Sequence, residues 1–134
     1  MKEKKDTGYS KEGLLEKLSY QSLLVGYQRR FVTLENRELV YYEMTKQGNM
    51  KRCGRINFDL YSVRIEVLPE MEGFRLSLLN CDRTFTFRSI QNQNPNAKKE
   101  MKSWIDAILY HLEGSAGKMR TLKAPASQEF WRLQ

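Results

Sequence analysis

Seven bases of this chain stand in two stretches that contain no acid. Residues 17–34 carry Lys17, Arg29 and Arg30, and residues 44–58 carry Lys46, Lys51, Arg52 and Arg55. Outside them bases and acids balance at 16 each, so the net charge of +7 is local in origin. Clustered Lys and Arg converge donors on an anion, Arg with a fork that matches phosphate or carboxylate. Other chemistries lack their parts. The single histidine, His111, has no Ser or Cys partner in a motif and is expected near a helix end, facing solvent or the helix dipole. Cys53 and Cys81 are expected as free thiols, too few for a disulfide framework or a zinc site. With no Gly-rich phosphate loop, metal motif or carboxylate pair, no catalytic residue, metal or cofactor is expected. The N-terminus lacks an apolar signal region and no apolar run exceeds four residues. A reduced, cytoplasmic protein without a membrane-spanning helix is the expectation.

The elements that must position these cations follow from periodicity. At 134 residues the chain is the size of one domain. Residues 1–10 read as a disordered lead-in, 11–114 as the domain and 115–134 as a linker tail. From Gly13 short strand-like segments alternate with turn signals. Leu15 and Lys17 share one face of the first. In the second, from Tyr27 to Leu34, Tyr27, Arg29 and Phe31 share one face while Arg30, Val32 and Leu34 share the other. Glu35-Asn36-Arg37 is a tight connection into Glu38 to Met44. Further segments are expected near 54–58, 62–68, 74–79 and 84–88, with a turn between Pro69 and Gly73.

Near Pro95 the period changes. Met101, Trp104, Ile105, Ile108, Leu109 and Leu112 form one apolar stripe on a helix. Asn94 or Asn96 suits its cap, Pro95 its first turn and Gly114 its end. Seven strands and one C-terminal helix predict a mainly β fold. The expected form is a seven-stranded, partly open antiparallel barrel, with the helix as the lid over its apolar interior.

The strand motifs resemble those of a pleckstrin homology (PH) domain. The family pattern falls on Gly13, Leu15 and Lys17 in the first strand and on Tyr27, Arg29, Arg30 and Phe31 in the second. It continues on Leu39, Tyr41 and Tyr42 in the third and on Trp104 in the helix. Within the family, the stretch around Glu16 and the run Tyr27 to Val32 are similar to the first PH domain of the ankyrin-repeat dual GTPase-activating proteins for Arf and Rho.

The resemblance implies phosphoinositide recognition at the open end of the barrel. Phosphatidylinositol 3,4,5-trisphosphate is a representative ligand, the anionic membrane surface a second partner and a small GTPase or signalling protein a third. The implied head-group ligands are Lys17, Gln28, Arg30 and Tyr41, with Lys46, Lys51 and Arg52 from the loop between the third and fourth strands. Lys17 and Arg30 are expected at the surface. Gln28 departs from the family pattern, which places a cation there. Leu23, Leu24 and Val25 form an apolar loop tip beside the pocket, suited to membrane insertion or to folding back into the core. The implied protein is a peripheral, membrane-targeting module of a small-GTPase regulator. The alternative is a protein-interaction domain of the same fold with weak, unspecific lipid binding, which Gln28 favours. Nucleic acid is not expected as a partner, because charge alone suggests it.

Overall fold

The computed structural model describes residues 10–19, 26–90 and 95–114. Residues 1–9 of the expected lead-in over 1–10, and the expected tail over 115–134, lie outside them. Seven strands follow one another: β1 (Lys11–Leu18), β2 (Tyr27–Glu35), β3 (Glu38–Met44), β4 (Met50–Asn57), β5 (Val63–Leu68), β6 (Gly73–Leu78) and β7 (Arg83–Arg88). They form one antiparallel sheet in the order β4-β3-β2-β1-β7-β6-β5. β4 and β5 are therefore its edges, and the barrel is not closed. Among the described residues one α-helix, α1 (Ala97–Gly114), follows the last strand and contacts β2 and β5.

Alternation builds the interior. Leu15, Val32, Leu34, Leu39, Ile56, Phe85 and Phe87 are buried, while Leu14, the outward neighbour of Leu15, is half exposed. On α1 the stripe through Met101, Trp104, Ile105 and Ile108 closes over this core as expected. One detail of the helix and one of the sheet differ from expectation. Asn96 supplies the first helical carbonyl, to the Glu100 N–H at 2.8 Å, so Pro95 precedes the helix. Proline, which has no N–H to donate, is accommodated there without loss. β4 also begins earlier than its buried residues suggest. Met50 to Cys53 are all exposed, so they show no alternation and are held by backbone pairing to β3.

The β2–β3 hairpin turns on Asn36 and Arg37, both with positive φ (55° and 59°). That is the shape of a two-residue turn matched to strand twist. Arg37 is an uncommon residue for it and is held on three sides. Its carbonyl accepts from Phe58 N–H at 2.9 Å, and its guanidinium pairs with Asp59 at 3.0 Å. Its own N–H donates to His111 Nδ1 at 3.0 Å.

His111 is thus a correction to the sequence reading. It is 4% exposed rather than solvent-facing, and it tethers the last turns of α1 to this hairpin. Its position is three residues beyond Ile108 and seven beyond Trp104, which places it on the apolar stripe. Replacing His111 with Leu keeps apolar volume but deletes the acceptor. Denaturant unfolding is expected to show a loss of about 1–3 kcal/mol. An unchanged midpoint would mean that the hairpin does not depend on the imidazole.

Candidate anion-binding site

The interior of the sheet runs out at one end, where the inward positions change from apolar to cationic. Lys17 follows Leu15 on the inward face of β1, and Arg30 precedes Val32 on that of β2. Arg83 opens β7 on the face that goes on to Phe85 and Phe87. Antiparallel pairing sets the end of β1 beside the start of β2 and the end of β7, so that β7 runs back past Lys17 to Arg83. A pocket of about 370 Å³ lies there, lined by Lys17, Leu18, Ser19, Gln28, Arg30, Tyr41, Cys53 and Arg83. Its volume suits a small ligand. Among the described residues no carboxylate lines it.

Lys17 is the unusual member. It is 8% exposed, although the sequence reading expects it at the surface. Its Nζ lies 4.9 Å from the Tyr41 ring centre and 5.6 Å from that of Phe85, and it donates to the Leu18 carbonyl at 3.3 Å. Ring faces and one carbonyl stabilise an ammonium less than water or a carboxylate would. Burial therefore pushes its pKa below the ordinary lysine value, and Arg83 and Arg30 push it the same way. The pocket holds positive charge at a cost in the free protein.

Tyr41 forms part of the pocket wall. The residue is 7% exposed, and its ring meets those of Phe85 and Phe87 edge-on, each at 6.1 Å. Burial raises the pKa of its hydroxyl, while the charge of Arg83 and a hydrogen bond from it oppose the rise. Gln28 and Arg30 work as a pair. Gln28 Oε1 accepts from Arg30 Nη2 at 3.1 Å, and Arg30 Nη1 donates to the Arg29 carbonyl at 2.7 Å. A neutral amide thus orients the guanidinium where a lysine would repel it.

Of the residues singled out in the sequence, Lys17, Gln28, Arg30 and Tyr41 come together in this pocket. Lys46, Lys51 and Arg52 are exposed on the β3–β4 hairpin and are not among its lining. A β-bulge contributes to this. Tyr41 pairs with Gly54 but Tyr42 pairs with Arg52, so Cys53 is the extra residue and Arg52 takes the outward face of Tyr42. Leu23, Leu24 and Val25 lie outside the described residues. The sequence reading missed Arg83 and Cys53. Alternation from Phe85 places Arg83 on the inward face, but only the β1–β7 pairing brings it to Lys17.

No family model matches the chain, and no curated protein matches it by sequence. Solved structures do. The N-terminal PH domain of human ARAP2 is 25% identical with a TM-score of 0.61, over 91% of this chain and 96% of that one. The C-terminal PH domain of pleckstrin, in complex with D-myo-Ins(1,2,3,5,6)P5, is 23% identical with a TM-score of 0.58, over 79% and 98%. The PH domain of human oxysterol binding protein-related protein 11 is 22% identical with a TM-score of 0.58, over 87% and 92%. The open seven-stranded sheet, the helix that follows it and these likenesses together show that the chain has the pleckstrin homology fold.

Proposed function

We propose that the pocket binds the phosphorylated head group of a phosphoinositide and so holds the protein at an anionic membrane. The observation that carries this reading is Lys17, a buried lysine set beside Arg30 and Arg83 in a pocket with no acid among its described lining residues. Such a cluster raises the energy of the free protein, and a polyphosphate relieves it by supplying the missing charge. Lys17 acts as the central point charge, Arg30 and Arg83 as forks, and the Gln28 amide N–H groups and Tyr41 hydroxyl as neutral ligands. Support comes from the similar PH domains of pleckstrin and Slm1, solved with inositol phosphates. Among the described residues no helix is long and apolar enough to cross a membrane. Attachment on this reading is peripheral, with Leu23, Leu24 and Val25 as its inserting tip. A place in a signalling protein that regulates small GTPases rests on the resemblance of the stretch around Glu16 and the run Tyr27 to Val32 to the dual GTPase-activating proteins.

The test is calorimetry with a soluble inositol polyphosphate, joined to vesicle binding across the phosphoinositides with phosphatidylserine vesicles as the charge control. Saturable head-group binding is expected, and Arg83→Gln is expected to weaken it about tenfold, the scale of one charge-assisted hydrogen bond. No heat with the soluble ligand, together with equal binding to every anionic vesicle, would sink the pocket and leave only a basic surface.

A further inference from the structure

The outer face of β1 to β4 is apolar where the open side of an antiparallel sheet is ordinarily polar. Pairing sets Leu14 of β1 opposite Phe31 of β2, Phe31 opposite Tyr42 of β3, and Tyr42 opposite Arg52 of β4. Alternation turns these side chains away from the core, since their neighbours Leu15, Val32 and Tyr41 are buried. They form one row across four strands, roughly 14 Å long at the spacing of paired strands. Leu14 is 51% exposed, and the half-buried rings of Phe31 and Tyr42 meet at 6.4 Å. Two residues along the strands Met44 pairs with Met50, both exposed, and extends the stripe. α1 packs against the other face, over the core. Single exposed apolar residues are ordinary on any surface, but a continuous stripe is not.

The charges around the stripe are not equivalent. Arg55 pairs with Glu38 at 3.2 Å, and Arg88 with Glu16 at 2.8 Å. Arg29 and Arg52 are exposed on the same face, and among the described residues neither meets a carboxylate. The exposed acids of this face, Glu12 and Glu35, lie toward the β2–β3 turn, away from both arginines. Arg29 precedes Phe31 by two residues and Arg52 ends the row, which sets them roughly 12 Å apart with Tyr42 and Met44 between. Lysine is missing from this face. Lys11, Lys17 and Lys51, the lysines of these four strands, fall on the other one by alternation. Aromatic residues, Met and Arg without Lys make the composition of a protein interface, whereas an anionic lipid surface draws Lys and Arg alike.

We infer that this outer face docks an acidic amphipathic helix of a partner protein, with apolar side chains over Phe31, Tyr42 and Met44 and carboxylates on Arg29 and Arg52. A helix is the element that ordinarily covers an apolar sheet face. Eight residues of helix rise about 12 Å, so carboxylates some two turns apart reach both guanidiniums with apolar residues between them. Each guanidinium offers its carboxylate a bidentate fork. A second copy of this chain suits the face less, because a net charge of +7 repels it. The docking face is the outside of the strands whose inside lines the pocket, and it does not depend on what the pocket binds.

The experiment selects a displayed library of helical peptides of about twenty residues on the full chain. Each peptide carries a leucine-rich face flanked at two positions by Glu, Gln or Lys. Enrichment of Glu at both flanks is expected, with saturable binding of the enriched peptide in fluorescence anisotropy. Arg29→Glu with Arg52→Glu is expected to weaken that peptide at least tenfold and to select the Lys-flanked peptide instead, which also shows the variant to be folded. Leu14→Ser, at a half-exposed site, is expected to cost about fivefold, with calorimetric affinity for a soluble inositol polyphosphate unchanged. Selection without enrichment, or undiminished binding of the Glu-flanked peptide to the charge-reversed variant, would overturn the inference. So would a Leu14→Ser variant that loses phosphatidylserine vesicles but keeps the peptide, since the face would then meet lipid. Self-association in sedimentation that Leu14→Ser abolishes would overturn it as well, by placing a second copy there. Failure of head-group binding in the unmodified chain would strike the pocket alone, because the peptide arm does not use it.

Discussion

Lys17→Met is expected to abolish head-group binding and to stabilise the free protein at the same time. Binding should fall at least a hundredfold, because the central cation of the cluster is lost and charge-assisted bonds are worth about 1.5–3 kcal/mol each. Stability should rise by roughly 1 kcal/mol. Methionine fills the same buried space between the Tyr41 and Phe85 rings without an ammonium beside Arg83 and Arg30. The sign of the pH dependence follows from the lowered pKa. Between the folded value and the unfolded value of 10.5, the unfolded chain binds more protons at this site, so Lys17 makes stability rise with pH there. Lys17→Met should flatten that rise. An anionic ligand favours the charged form and restores the proton, so binding in that same interval below 10.5 should take up a fraction of a proton and weaken as pH rises. Phosphate monoesters are already dianionic there and contribute little. Calorimetry in buffers of different ionisation enthalpy measures the uptake, with Lys17→Arg as the control that cannot titrate. A Lys17→Met variant that is less stable than the parent would contradict the account of a charge held at a cost.

Gly54→Ala is expected to damage both fold and pocket, although the substitution adds one methyl group on an edge strand. A Cβ at Gly54 would lie 2.5 Å from Tyr41 Oη and 2.7 Å from Tyr41 Cζ. The ring cannot retreat easily, because the edges of Phe85 and Phe87 hold it on the other side. It must move toward the pocket, at a cost of about 1–3 kcal/mol for overpacking. The same movement displaces the hydroxyl bonded to Arg83 and crowds Lys17. A loss of five- to twentyfold in head-group affinity should accompany the lower unfolding midpoint. Tyr41→Phe with Gly54→Ala should recover part of the stability but not the affinity, since it removes the clashing oxygen together with the ligand. Unchanged stability in Gly54→Ala would mean that β4 yields at its bulge, and the wall is softer than its packing implies.

These effects separate what was legible in the chain from what was not. The strands of β1, β2, β3 and β7 were legible because burial on one face leaves a period of two, and α1 because its stripe has the helical period. The motif residues Lys17, Gln28, Arg30 and Tyr41 could be placed on inward faces by that period, and they do share one pocket. The same rule held the burial of His111, three residues after Ile108, but a lone polar residue on an apolar stripe gives no sign of its acceptor role until the Arg37 turn packs against it. Arg83 shows the larger limit. Its face was readable, but its neighbours were not, because β7 reaches β1 across more than sixty residues of intervening chain. The exposed half of β4 hid its own start, and the bulge at Cys53 sends Arg52 outward in a way no local pattern records. Local periodicity by itself determined the elements and which way their side chains point. Only the pairing of β1 with β7 and the curl of the sheet decided which cations meet, how deeply Lys17 is buried and which bases are left outside, because those depend on long-range pairing and on the energy of charge in a shared space.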